Sequence, residues 1–170
     1  MARKFNNLVW TPSPKEIEAE RDWMNQEIQQ IGIPVLLDLA SLASEARTRS
    51  YIPYSKYSVG AAVLTTTGQK ESGQNIEIVT YSETGHAEEH AIKNFVSKGI
   101  VEDEGRKFIR AIAVSHEGDT APCGRCRQII AEFCDNALVV VADTAGKIRA
   151  ITSKKILLPY AFTPSDLGIK

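Results

Sequence analysis

Two short segments restrict the possible folds of this chain more than any other part of it. They are Gly85-His86-Ala87-Glu88-Glu89-His90 and Pro122-Cys123-Gly124-Arg125-Cys126-Arg127-Gln128, and each reads as the start of a helix. Between them, His86, Cys123 and Cys126 supply one imidazole and two thiols. That is the ligand set of a catalytic zinc site, which keeps its fourth position for water where a structural site would close it. A chain that uses these ligands must bring two helix N-termini to one point. The Cys-x-x-Cys spacing lets two sulfurs at the beginning of a helix face the same ion, and both the helix N-terminus and the metal favour thiolate over thiol there. Glu88 follows His86 closely enough to sit near the metal without binding it. From that place a carboxylate can take a proton from water and hand it to a substrate.

Each feature also has a plainer reading. Cys123 and Cys126 alone fit a redox pair, but such a pair normally follows a strand in a thioredoxin-like βαβ unit, and the residues around Pro122 lack that pattern. His86 alone fits an ordinary polar residue. His86 and His90 suggest the His-Glu-x-x-His arrangement of zinc proteases. Here the glutamates, Glu88 and Glu89, stand second and third after the histidine, so neither holds the general-base place. His90 therefore reads as a packed or surface residue, His116 as a loop histidine and Cys134 as a small apolar core filler.

The 170 residues suit one domain, with 43% apolar and 24% charged residues. Twenty basic against 21 acidic residues give a net charge of −1, which argues against a protein that holds nucleic acid by phosphate contacts. No stretch approaches the ~20 apolar residues of a membrane span. Residues 1–10 lack the apolar core of a signal peptide. Three cysteines do not make a disulfide framework. A soluble, cytoplasmic protein is expected.

Residues 1–13, with Phe5 and Trp10, read as an arm or loop. Ser13-Pro14-Lys15-Glu16 then has the form of a capping box, Ile17, Met24, Ile28 and Ile31 follow as an apolar stripe, and Gly32 can end the helix. A second helix is expected from Pro34 to about Arg49, with Leu36, Leu39, Ala43 and Ala46 on one face. Strands are expected at 59–65 and 69–75, joined by a turn at Thr67-Gly68, and at 108–115, 138–142 and 148–152. Helices are expected at 85–98 and 122–134. This order specifies an α/β domain and no more.

In their order, the three ligands and Glu88 match the known zinc-deaminase signature His-x-Glu…Pro-Cys-x-x-Cys. Over about residues 47–168 the sequence resembles the cytidine deaminase family. The segment from Pro53 to Ala62 (PYSKYSVGAA) is similar to the family's first-strand motif P-Y-S-x-F-x-V-G-A-A. Asn75-Ile76-Glu77 resembles its N-x-E segment, whose polar side chains grip the ribose hydroxyl, and the segment from Leu157 to Phe162 (LLPYAF) resembles its LLP-x-x-F. The family's short branch usually has cysteine in place of His86 and often arginine in place of Glu89. A neutral His86 leaves zinc and two thiolates in charge balance, which makes Glu89 tolerable. Tyr57 stands where phenylalanine is usual beside the pyrimidine, and its hydroxyl could alter tolerance for base substituents.

The resemblance implies a three-layer α/β/α fold around a central mixed sheet of about five strands. It implies one Zn2+ per subunit, held by His86, Cys123 and Cys126, with Glu88 as the catalytic residue. The substrate pocket would use Tyr57, Asn75, Glu77, the backbone near Ala87, and Phe162 from a neighbouring subunit. Residues 1–46 would be an N-terminal arm and helices packed on the core, and 47–170 the catalytic domain. The implied reaction is hydrolytic deamination of cytidine and 2′-deoxycytidine in pyrimidine salvage. The implied enzyme is a homo-oligomer, a tetramer in preference to a dimer, acting on a small nucleoside without stable nucleic-acid or membrane binding. Three other readings stand beside it. One is a deaminase of another aminopyrimidine, such as a modified cytidine or blasticidin S, and another is a polynucleotide deaminase. The third is a non-catalytic zinc-stabilised module, which would need neither Glu88 nor the Asn75/Glu77 pair.

Overall fold

The structure, a computed structural model, describes residues 12–168. The expected arm with Phe5 and Trp10 lies, but for its last two residues, outside the described residues. Helix α1 (Pro14–Ile31) starts as its sequence indicates. Ser13 Oγ accepts from the Glu16 N–H at 3.3 Å, and Glu16 Oε2 accepts from the Ser13 N–H at 2.8 Å. Gly32 separates it from α2 (Ile33–Arg47), whose Leu36, Leu39, Ala40, Ala43 and Ala46 are fully buried. Each of those leucines contributes about 1.5–3 kcal/mol by leaving water.

Five strands follow: β1 (Gly60–Thr65), β2 (Lys70–Gln74), β3 (Ile109–Ser115), β4 (Leu138–Ala142) and β5 (Ile148–Ser153). They form one mixed sheet in the order β2-β1-β3-β4-β5. Only β3 and β4 are parallel, and helix α5 (Gly124–Glu132) provides the crossover that a parallel pair requires. Side chains alternate across the sheet, as a strand's period of two demands. Ala62, Leu64, Ala111, Ala113, Leu138 and Val140 meet α1 and α2 on one face. Ala61, Val63, Ile112, Val114 and Val139 meet α3 (Ala87–Ser97) and α5 on the other. The result is the expected α/β/α arrangement.

Two glycines set how closely the layers approach. A Cβ on Gly60 would lie 2.0 Å from the Ala43 carbonyl oxygen of α2, and one on Gly73 would lie 2.4 Å from the Ala91 nitrogen of α3. Both neighbours are helix backbone, which cannot yield as a flexible side chain could. Two further helices were not expected, α4 (Ile100–Glu104) and α6 (Lys154–Leu157). Glu104, closing α4, accepts hydrogen bonds from the Thr65 hydroxyl at 2.9 Å, the Thr66 hydroxyl at 2.6 Å and the Thr67 N–H at 3.2 Å. In α6, Ser153 Oγ caps the Ile156 N–H at 3.2 Å. No helix among the described residues is long and apolar enough to cross a membrane.

Candidate active site at a metal centre

The helix starts at residues 85–90 and 122–128 meet at one end of the sheet. His86 is the N-cap of α3, Cys123 is the N-cap of α5, and Cys126 lies in the first turn of α5. His86 Nδ1 stands 3.5 Å from Cys123 Sγ and 3.3 Å from Cys126 Sγ. The three ligand atoms lie within 4.8 Å of one another. A tetrahedral zinc with ordinary Zn–N and Zn–S lengths places nitrogen and sulfur about 3.5 Å apart, so the donors fit the ion.

The electrostatics of the donor set point the same way. Burial pushes the Cys126 thiol far up, and the neighbouring Glu88 carboxylate and Cys123 sulfur push it further. A bound cation would reverse these influences and deprotonate a coordinating thiol. The nearby basic groups are committed elsewhere. Arg125, between the two cysteines, donates to Glu89 Oε2 at 2.7 Å, and Lys93 donates to Glu89 Oε1 at 2.6 Å. Burial tends to raise the Glu89 carboxyl, but the Lys93 hydrogen bond and the Arg125 charge outweigh it and hold the group below the ordinary range. Glu89 is therefore a paired structural carboxylate, a contact that the sequence reading did not foresee.

Beside the ligands lies a cavity of about 350 Å³. Ala87 and Glu88, the first two helical residues of α3, form part of its wall, and Glu88 is 4% exposed. His86 and Cys123 line it as well, so carboxylate and metal ligands open into the same space. Asn75 and Glu77 leave the end of β2 and line the opposite part, with Tyr57.

The two polar side chains also build this wall. Asn75 Oδ1 accepts from the Val59 N–H and its Nδ2 donates to the Tyr57 carbonyl, both at 2.9 Å. Each end of the amide keeps one further hydrogen-bonding site. Glu77 Oε2 accepts from the Tyr54 and Ser55 N–H groups at 3.0 and 3.1 Å, and Oε1 accepts from the Ser55 hydroxyl. The Ser55 hydroxyl bond is the largest influence on the Glu77 carboxyl; with the two backbone bonds and the Lys56 charge it outweighs burial, so the group sits below its usual range. One of roughly four lone-pair sites remains, on Oε1.

Tyr57 is held by His116, which reads in the sequence only as a loop histidine. His116, 4% exposed just beyond β3, lines the cavity. Its Nδ1 accepts from the Gly118 N–H at 3.0 Å, so Nδ1 carries no proton. Nε2 therefore bears the hydrogen and donates to the Thr120 carbonyl at 2.8 Å, while the Tyr57 hydroxyl donates to Nδ1 at 2.9 Å. The one signal in the sequence was a histidine directly after an apolar strand, where open α/β sheets commonly place their sites.

Other residues fall outside this cluster. Phe162 is 60% exposed and does not line the cavity of its own chain; its carbonyl accepts from Gln128 Nε2 at 2.7 Å. His90 packs against Gly85 and bonds the Gln74 carbonyl through Nδ1 at 2.7 Å. Cys134 is buried and donates to the Ile130 carbonyl at 3.2 Å.

Comparison with known proteins agrees with this geometry. Residues 36–142 match the family model described as the cytidine and deoxycytidylate deaminase zinc-binding region. A cytidine deaminase of Sporosarcina psychrophila is 42% identical over 137 residues, spanning 78% of this chain and 96% of that protein. One from Halalkalibacterium halodurans is 40% identical over 129 residues, spanning 74% and 92%. The crystal structure of cytidine deaminase from Burkholderia pseudomallei superposes with a TM-score of 0.66 at 36% identity, covering 74% of this chain and 97% of that one. With three zinc donors converging beside a buried glutamate, and with these relatives matched over nearly their whole length, this chain belongs to the zinc-dependent cytidine and deoxycytidylate deaminase family.

Proposed function

We propose that the protein hydrolyses cytidine and 2′-deoxycytidine to uridine and 2′-deoxyuridine with release of ammonia, serving pyrimidine salvage in the cytoplasm. The observation that carries this reading is the single cavity shared by Glu88, the metal ligands His86 and Cys123, and the Asn75/Glu77 pair. When bound by His86, Cys123 and Cys126, zinc supplies a Lewis acid that brings the pKa of a water towards ~7. Glu88 takes a proton from the attacking water and delivers it to ring nitrogen N3, while the water oxygen bonds to C4. The adduct's hydroxyl proton then passes through Glu88 to the amine, the C4–N4 bond breaks, and ammonia leaves. One water is consumed and the Glu88 carboxylate is regenerated.

Backbone groups at Ala87 and Cys123 orient the ring, and Tyr57 lies beside it. The remaining sites on Asn75 and Glu77 take the ribose hydroxyl. Both residues are already clamped to the 54–59 loop, so they meet the sugar preorganised. The Tyr57 hydroxyl is engaged by His116, which favours an unmodified base over an aminopyrimidine needing a new polar contact. Residues 47–170 carry the catalysis, with the preceding helices covering the sheet. Incubating the zinc-replete protein with cytidine and following uridine by chromatography tests the reading. Steady turnover is expected; zinc bound without turnover would move the substrate to a modified aminopyrimidine.

The proposed assembly is a homotetramer with one zinc per subunit, in which Phe162 reaches a neighbour's base-binding site. Its exposure and its absence from the lining of its own chain's cavity support this reading. Phe162→Ala should then raise KM for cytidine by about tenfold or more, the scale of losing a buried aromatic contact. A chain that light scattering shows to be monomeric, yet fully active, would sink the shared site.

A further inference from the structure

A second cavity, of about 300 Å³, lies between the end of α5, the start of α6 and the C-terminal segment. Its lining includes Arg106, Lys107, Lys154, Asp135, Thr163 and Ser165. Lys154 is the unusual member. It is 8% exposed, yet its ammonium has no hydrogen-bond acceptor and no ion pair among the described residues. It lines the cavity, so its three N–H donors are open to a group that enters there.

The acidic groups near it among the described residues are Cys134 and Asp135. Burial is the main reason the Cys134 thiol beside it is pushed up to about 11, so it stays neutral near pH 7 despite the pull of Lys154 and Lys107. Asp135 is exposed and makes no ion pair among the described residues. Lys107 already donates to the Ala131 and Glu132 carbonyls at 3.3 and 2.7 Å, capping α5 and keeping one donor to spare. Arg106, half-buried, has no side-chain hydrogen bond among the described residues. The Thr163 hydroxyl bonds Asp166 Oδ2 at 2.9 Å and pairs with the Ser165 hydroxyl at 2.7 Å. Three cations against one lining carboxylate leave the cavity positive.

We propose that this cavity binds a small molecule bearing a phosphate group, with Lys154 as its buried anchor and Lys107 and Arg106 completing the cradle. Phosphate suits the site because its oxygens accept from a lysine point charge and an arginine fork together. The cavity is larger than a single phosphate needs, leaving room for a compact organic portion. This inference is independent of the substrate proposed above.

Isothermal titration of the zinc-loaded full chain with inorganic phosphate and with ribose 5-phosphate, at constant ionic strength, tests it. Saturable binding of at least one probe is expected. Lys154→Met should weaken it at least ~10-fold, because a charge-assisted bond at a buried site is lost. It should also raise Tm in phosphate-free buffer, since a partly desolvated cation beside Lys107 and Lys155 is removed. Arg106→Ala should weaken binding in the same direction and keeps the test open if the Lys154 variant does not fold. Ribose 5-phosphate binding ~10-fold tighter than phosphate would identify a phosphomonoester, and equal affinities free phosphate. Absence of saturable binding, or unchanged affinity in both variants, would overturn the site.

Discussion

Glu88→Gln is expected to retain one zinc per chain and to lose about 10²–10⁴-fold in kcat, the usual contribution of a positioned acid–base group. The amide keeps the size and much of the hydrogen bonding of the carboxylate, so the buried first turn of α3 has no reason to repack. It cannot cycle a proton. The reaction needs one group to accept a proton from water, protonate N3 and later protonate the amine, and Glu88 is the carboxylate both buried beside the ligands and open to the cavity. Glu89, its neighbour, is locked between Arg125 and Lys93 and cannot substitute. The decisive pair of measurements is kcat for cytidine and zinc content on the same preparation. Wild-type turnover would remove Glu88 from the mechanism; loss of zinc along with activity would make it part of the metal site.

Cys123→Ser is the second large effect, and its position makes the result easy to interpret. Cys123 is the N-cap of α5, and serine is among the best N-cap residues, so the helix start is expected to survive the change. What disappears is a thiolate ligand. Changes at groups that merely support a ligand cost 10–100-fold in metal affinity, so removing a ligand should cost more than ~10²-fold. Activity should then fall to background at stoichiometric zinc. Stability should fall with it: a protein holding a metal at about 1,000 times its Kd gains ~4 kcal/mol over the metal-free form. The variant's Tm should match that of wild type stripped by a chelator. Wild-type zinc content in Cys123→Ser would refute the ligand set, and a Tm well below that of the stripped wild type would reveal a packing role for the sulfur.

Much of the fold was open to local reading because its determinants are local. The capping box at Ser13, the Thr67-Gly68 turn and the unbroken apolar run of β3 each act over a few residues, and the corresponding elements formed within one or two positions of their expected ends. Helices α4 and α6 escaped because neither has a stripe long enough to show a period. One is anchored by Glu104 to three threonines far back in the chain, and the other is four residues held by a serine cap. His116 escaped for a related reason, since its tautomer and its place in the cavity depend on Tyr57, on Gly118 and on the turn to Thr120.

By itself, the sequence determined the ligand types, the Glu88 carboxylate beside them and the helix starts that carry both, because spacing along a helix N-terminus settles those relations within a turn. The tertiary structure decided everything that depends on distant partners. It brought His86 to the two sulfurs, paired Glu89 with Arg125, committed Asn75 and Glu77 to the 54–59 loop, and set Lys154 against a cavity with no ion pair among the described residues. Charge pairing and desolvation are sums over neighbours in space, and a one-dimensional pattern records residue types without recording which of them will meet.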